Sequence, residues 1–253
     1  MVLAKEHVVV LGATGMSGIQ LIKEVLKLGS NGPHVTLYTR SSARSKLPAE
    51  ISGRSNIRVV EGALDDRNAL LNAMSADTKS GFPKATSVIG LLGAPGLSFY
   101  HLITRRRGPT PIADAFSSSI LPVMREVGVH RILALSTLSG FQYPEEKRKM
   151  DWSTWLKMLP PKIMVPQGDA EMGGIANAVV VEGASNPALE WTVFRVPFLH
   201  DKEPKTPLSV GEHFMDFRGS QQLSRISIAR WLLSELEERK HIRKAPLLGN
   251  MAA

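Results

Sequence analysis

Two hydrophobic periods alternate along this chain, and their alternation sets its plan. Apolar runs short enough for strands buried on both faces occur at residues 8–11, 35–39, 57–60, 87–92 and 131–136. Between them apolar residues return at helical spacing. The first such set is Ile19, Leu21, Ile22, Val25, Leu26 and Leu28, and the second is Leu70, Leu71 and Met74. A third runs over residues 111–127 through Ile112, Ala115, Phe116, Ile120, Val123, Met124 and Val127, and Gly128 closes it. Strand and helix patterns alternate five times, which predicts a doubly wound α/β domain: a parallel sheet with helices on both faces.

The first strand breaks into Gly12-Ala13-Thr14-Gly15-Met16-Ser17-Gly18. Glycines let the backbone turn sharply and approach a ligand closely, and the helix that follows offers unpaired N–H groups at the positive end of its dipole. A pyrophosphate suits that position. The spacing departs from the commoner G-x-G-x-x-G, so an ordinary βα turn without a ligand is the competing reading. The second strand delivers Arg40 at its carboxyl end, followed by Ser41, Ser42, Arg44 and Lys46. In a doubly wound fold this position faces the adenosine ribose. An acidic residue there binds both hydroxyls of NAD, whereas arginine can pair with the extra phosphate of NADP, which makes NADP the expected cofactor. A basic surface loop is the alternative. Asp65, in the turn after the third strand, reads as the N-cap of the next helix or as a neighbour of the adenine. Leu92 and Gly93 end the fourth strand, and the small residues that begin there would let a ribose lie against backbone.

Composition narrows the field. With no cysteine in 253 residues, disulfides, thiolate metal sites and cysteine nucleophiles are excluded, and no metal site is expected. Lysine and arginine outnumber aspartate and glutamate by 31 to 23, a formal charge of +8 that gives nucleic acid or an anionic ligand a hearing. The basic residues are scattered, however, and the runs Arg105-Arg106-Arg107 and Lys147-Arg148-Lys149 are not interleaved with aromatics, so a solvated surface is the better reading. No apolar run approaches the roughly 18 residues of a membrane span, and the N-terminus lacks the order of a signal peptide. A cytoplasmic protein with neither nucleic-acid nor membrane partners is expected. No repeat or linker divides the chain, so residues 1–253 read as one domain, with substrate-side lids or insertions at about 97–110, 141–176 and 198–225.

The glycine turn, Arg40, Asp65, Gly128-Val129-His130-Arg131-Ile132 and Leu189-Glu190-Trp191-Thr192-Val193-Phe194-Arg195-Val196-Pro197 together resemble the atypical short-chain dehydrogenase/reductase group. That group contains the NmrA-like regulators and the biliverdin/flavin reductase-like enzymes. The resemblance covers nearly the whole chain in order. It implies a Rossmann-type fold, a helix over residues 177–184 where Val179-Val180-Val181 would suggest a strand, and a terminal strand at residues 246–250. It also implies that Gly12, Thr14, Gly15, Met16, Ser17, Gly18, Arg40, Ser41, Arg44, Asp65, Leu92, Gly93, Ser136 and Pro197 hold NADP. The implied activity is hydride transfer between NADPH and a small hydrophobic carbonyl, quinone, enone or flavin-like molecule, by a monomer or homodimer. An NADP sensor of NmrA type and a non-redox isomerase, cyclase or dehydratase are the alternatives.

Typical members of the wider family use a serine to hold the substrate oxygen, a tyrosine as acid/base, and a lysine four residues later that lowers the tyrosine pKa. Ser136, Tyr143 and Lys147 occur in that order. Pro144 directly follows Tyr143, and proline sits comfortably only in the first turn of a helix, so the two need not share a helical face. Alignment through the Trp191 strand places Ala178 and Glu182 where the tyrosine and lysine would stand. His200 and His101 are further proton donors by residue type, and Thr137 joins Ser136 as a well-placed hydroxyl. Reductases of the biliverdin/flavin type can also take the proton from solvent. Residues 141–176 carry Phe141, Trp152 and Trp155, which line a hydrophobic pocket or bury a helix.

Overall fold

The computed structural model describes residues 3–93, 108–149 and 166–251. Its strands are β1 (His7–Leu11), β2 (His34–Thr39), β3 (Ile57–Glu61), β4 (Ser87–Gly90), β5 (Arg131–Thr137), β6 (Glu190–Val196), β7 (Phe198–His200), β8 (Leu208–Gly211), β9 (Gln222–Ser224) and β10 (Leu247–Asn250). Eight form one sheet in the order β3-β2-β1-β4-β5-β6-β10-β8. All its pairs are parallel except the antiparallel edge of β8 on β10. Burial on both faces explains the apolar runs: every residue of β1 and β4 is buried, as is each of β5 up to Ser136.

The helices are α1 (Met16–Leu28), α2 (Arg67–Met74), α3 (Pro111–Ala115), α4 (Leu121–Val127), α5 (Pro144–Lys149), α6 (Pro166–Ser185) and α7 (Arg225–Glu238). Leu21, Ile22 and Val25 of α1 and Leu233 and Leu236 of α7 meet Val8, Val10, Val35, Leu37 and Ile89 of the sheet on one face. On the other, α2 packs on α4, and α3 packs on α6, which in turn lies on β5. Strand order reverses between β1 and β4, so the crevice outside their carboxyl ends is the topological switch point where doubly wound sheets bind ligands. The Gly12 turn lies there. Among the described residues, no helix is long and apolar enough to cross a membrane.

The departures from the sequence expectation have physical causes. The helix expected over 111–127 is broken by a π turn at Phe116–Ile120. Pro122 enters α4 at its first turn, and a proline offers no N–H to the preceding turn, which opens the register there. The short strands β7 and β9 pair with each other, and β8 pairs with β10, inside a segment expected as a substrate loop. Helix α6 begins at Pro166 and runs 20 residues, so the second part of the expected lid at 141–176 is core helix, with Met172, Ile175 and Ala176 buried. Tertiary packing overrides the strand preference of its valines: Val179 is buried, and Gly183 leaves room only for the Trp191 indole of β6.

Candidate functional site

Backbone geometry builds the phosphate end of the site. Gly12 has φ +87°, and a Cβ there would stand 2.8 Å from the carbonyl of Leu91 at the end of β4. Any other residue is excluded both by conformation and by space. A Cβ on Gly18 would strike the carbonyl oxygens of Gly12 and Ala13, so that glycine lets α1 start close against the β1 turn. Gly15 is the N-cap: its N–H donates to the Gly12 carbonyl at 3.0 Å, and it carries no capping side chain. The first turn of α1 has no acidic residue, and the N–H groups of Met16, Ser17 and Gly18 have no hydrogen-bond partner among the described residues. Thr14 and Ser17 are half-buried, while Met16 is exposed. A helix start without a capping oxygen, under a turn only glycine can make, has the geometry and partial charge that suit an anionic oxygen.

The region expected to face the adenosine is polar and open. Arg40 follows β2, exposed, with no side-chain partner among the described residues. Ser41 beside it is exposed and opens a 3-10 turn, Ser41–Lys46. Arg44 Nη1 donates to Glu61 at 2.6 Å, so its guanidinium braces the end of β3. Tyr38 Oη donates to the Ala63 carbonyl at 2.6 Å and fixes the turn after β3; burial, with Asp66 and Asp65 nearby, pushes its pKa up to about 12. The N-cap of α2 is Asp66, which accepts from the Ala69 N–H at 3.0 Å, and this corrects the capping role expected of Asp65. Asp65 is left exposed beside the turn.

Of the expected catalytic constellation, Ser136 and Tyr143 are committed to other partners. Ser136 is fully buried, and its Oγ donates to the Met172 carbonyl of α6 at 3.0 Å, so it clasps a helix and presents no hydroxyl to a substrate. Tyr143 is the residue before α5, with Pro144 in the first helical position, and its N–H donates to Glu146 at 2.9 Å. Its hydroxyl accepts from the Ala245 N–H at 2.7 Å, and burial raises its pKa, the reverse of what a proton-accepting tyrosinate needs. Lys147 lies within α5. Helix α6 contains neither tyrosine nor lysine, and Glu182 on it is taken by Arg125 of α4 in a bidentate pair. His200 ends β7 half-buried, its Nδ1 accepting from the Lys202 N–H at 3.3 Å. Pro197 is half-buried at the end of β6, as is Leu92 after β4, and Gly93 beside it is exposed. His101, Trp152 and Trp155 lie outside the described residues.

Two groupings escaped the sequence reading. Arg195 is wholly buried and uses its guanidinium fully: on Glu146 (2.8 and 3.2 Å) and on the carbonyls of Ala245, Phe141 and Glu212. The rings of Tyr143 and Phe214 flank it. The second is Thr137, Ser139 and Asp169, where Ser139 Oγ donates to the Asp169 carboxylate and lies 3.3 Å from Thr137 Oγ1. An acid three residues after Pro166, in the first turn of a helix, was the available signal for Asp169.

A parallel sheet of this order, with a glycine cradle at its switch point and an arginine after the second strand, defines a dinucleotide-binding Rossmann protein. The model of the NAD(P)H-binding family matches residues 12–239, and the chain belongs to that family. No curated protein sequence matches it. Among solved structures it is similar to a wide-type short-chain dehydrogenase/reductase from Veillonella parvula in complex with NADP (TM-score 0.66, 19% identity, 97% of this chain and 94% of that one). It is also similar to ChuY, an anaerobilin reductase from Escherichia coli O157:H7 (TM-score 0.66, 15% identity, 96% and 97%). A Rossmann-fold NAD(P)-binding family protein from Shigella flexneri shares the architecture too (TM-score 0.62, 18% identity, 97% and 93%).

Proposed function

We propose that the protein is an NADPH-dependent oxidoreductase of the atypical short-chain dehydrogenase type, acting on a small hydrophobic carbonyl, quinone, enone or flavin-like substrate. The observation that carries this reading is the pairing of two groups suited to anions: the uncapped first turn of α1 and Arg40, which has no side-chain partner among the described residues. Backbone N–H groups of the Gly12–Gly18 turn would hold the pyrophosphate, and Arg40 with Ser41 the additional phosphate of NADP. Asp65 borders the adenine side, and Leu92, Gly93 and Pro197 border the nicotinamide side. When bound, the cofactor supplies the hydride; the chain supplies position and protons. The relatives solved with NADP or named as an anaerobilin reductase support a redox role on this fold.

A regulatory NADP sensor is the second reading, favoured by Tyr143, whose hydroxyl is committed to Ala245, and by the absence of tyrosine and lysine from α6. Incubation with NADPH and a panel of menadione, phenanthrenequinone, p-nitrobenzaldehyde and FMN separates the two. Turnover of any member is expected. NADPH binding without oxidation across the panel would favour the sensor.

A further inference from the structure

Among the described residues, the buried carboxylates are matched to positive or N–H partners, with one exception. Glu146 pairs with Arg195, Glu235 with Arg131, and Glu24 with Lys27 and Arg230, while Glu171 accepts from the N–H groups of Ile112 and Ala113. Asp169 is 9% exposed and has no cation and no backbone N–H among the described residues; it holds a hydroxyl, that of Ser139. A carboxylate kept that far from water with so little compensation is costly.

Its location is at the site. The first turn of α6 and the end of β5 share the carboxyl edge of the sheet with the Gly12 turn, and Ser136 fastens α6 there through Met172. The hydroxyl chain has a direction set by what each group can donate. A carboxylate only accepts, so Ser139 spends its one O–H on Asp169, Thr137 then donates to Ser139, and the outer lone pairs of Thr137 stay open. With a proton on Asp169 each O–H can reverse, and half-buried Thr137 then presents a donor at the strand end.

We propose that Thr137, Ser139 and Asp169 form the proton relay of this site, a reading that rests on the NADPH-reductase function above. The substrate class is an aromatic ketone, aldehyde or quinone. Its carbonyl carbon gains the hydride of NADPH, which leaves as NADP+, and its oxygen gains the Thr137 proton as the C=O π bond breaks. Thr137 takes the Ser139 proton, Ser139 takes the Asp169 proton, and the carboxylate regains one from solvent. Alcohol oxidation runs every transfer in reverse.

The test uses the full chain with NADPH and phenanthrenequinone, in wild type and in Asp169→Asn, Asp169→Glu, Ser139→Ala and Thr137→Val. Measured are kcat against pH, the solvent deuterium isotope effect on kcat, and NADPH affinity by nucleotide fluorescence. Asp169→Asn and Thr137→Val are expected to lower kcat by about 10²-fold or more, Ser139→Ala to act likewise, and NADPH affinity to stay within about twofold. Wild-type kcat shows a solvent isotope effect; Asp169→Asn is expected to lose it and Asp169→Glu to regain part of it. Thr137→Val and Ser139→Ala keep the carboxylate, so a folding defect of Asp169→Asn leaves the relay testable. Wild-type kcat and pH profile in Thr137→Val and Ser139→Ala would overturn the relay, as would losses of kcat and NADPH binding in parallel. A wild type that binds NADPH but does not reduce the quinone overturns the relay alone, and one that binds no NADPH overturns the reductase reading with it.

Discussion

Tyr143 carries a family residue type at a family-like spacing, yet its surroundings give it a different task. Its hydroxyl supplies the Ala245 N–H with an acceptor, and its ring packs edge-on against Phe141 and His213 at centroid distances of 5.1 and 5.0 Å. Tyr143→Phe is therefore expected to keep kcat within about threefold while losing about 1 kcal/mol of stability, the cost of a stranded amide, measurable by urea denaturation. A loss of turnover beyond tenfold would restore the tyrosine as the acid. Gly12 and Arg40 were legible in the sequence because their chemistry is local: a turn only glycine makes, and a charge at a strand end. Asp169 and Ser139 were not. Their meeting depends on the packing of α6 against the turn after β5, thirty positions apart, which no spacing rule encodes.

Among elements, the end of β6 is where α5 and the segments around Phe141 and Glu212 are fastened to the sheet. Arg195 reaches from that strand to α5 through Glu146 and to the backbone at Phe141, Glu212 and Ala245, and Glu146 also accepts from the Phe214 N–H at 3.1 Å. Removing one partner leaves the other charge buried alone. Glu146→Ala is thus expected to cost about 3–5 kcal/mol in chemical denaturation, and a change under 1 kcal/mol would remove the pair from this role. The strands of the parallel sheet were legible because burial on both faces writes itself as uninterrupted apolar runs. The strands β7, β8 and β9 were not: each is three or four residues long and takes its hydrogen bonds from a partner distant in sequence. The full length of α6 was hidden for a related reason, since glycines and valines make it a poor helix until packing decides.

At the scale of the molecule, the amino end of the sheet carries a proton-linked load, and the carboxyl end carries the glycine turn proposed to hold the cofactor. His7 is buried in β1 between the Pro83 carbonyl (2.6 Å) and Thr36 Oγ1 (2.7 Å). Burial, opposed by the Pro83 hydrogen bond and assisted by Arg58 and His34, lowers its pKa from 6.5 to about 4. Because the folded value is the lower one, the unfolded chain binds more protons between the two. Stability is complete above about pH 6.5 and declines as pH falls toward about 4, by about 2 kcal/mol between pH 7 and pH 5. Urea denaturation at those two pH values checks this, and His7→Gln is expected to remove most of the slope. The formal charge of +8 of the whole chain favours anionic ligands, and in the function proposed above Arg40, at the opposite edge of the sheet, is the contact that tells NADPH from NADH. Calorimetric titration of wild type and Arg40→Asp with each nucleotide tests that claim most directly. Wild type is expected to bind NADPH at least about tenfold more tightly than NADH, and the substitution to remove about 1–3 kcal/mol from NADPH binding while sparing NADH. Binding of neither nucleotide, or equal binding of both that Arg40→Asp leaves unchanged, would contradict it.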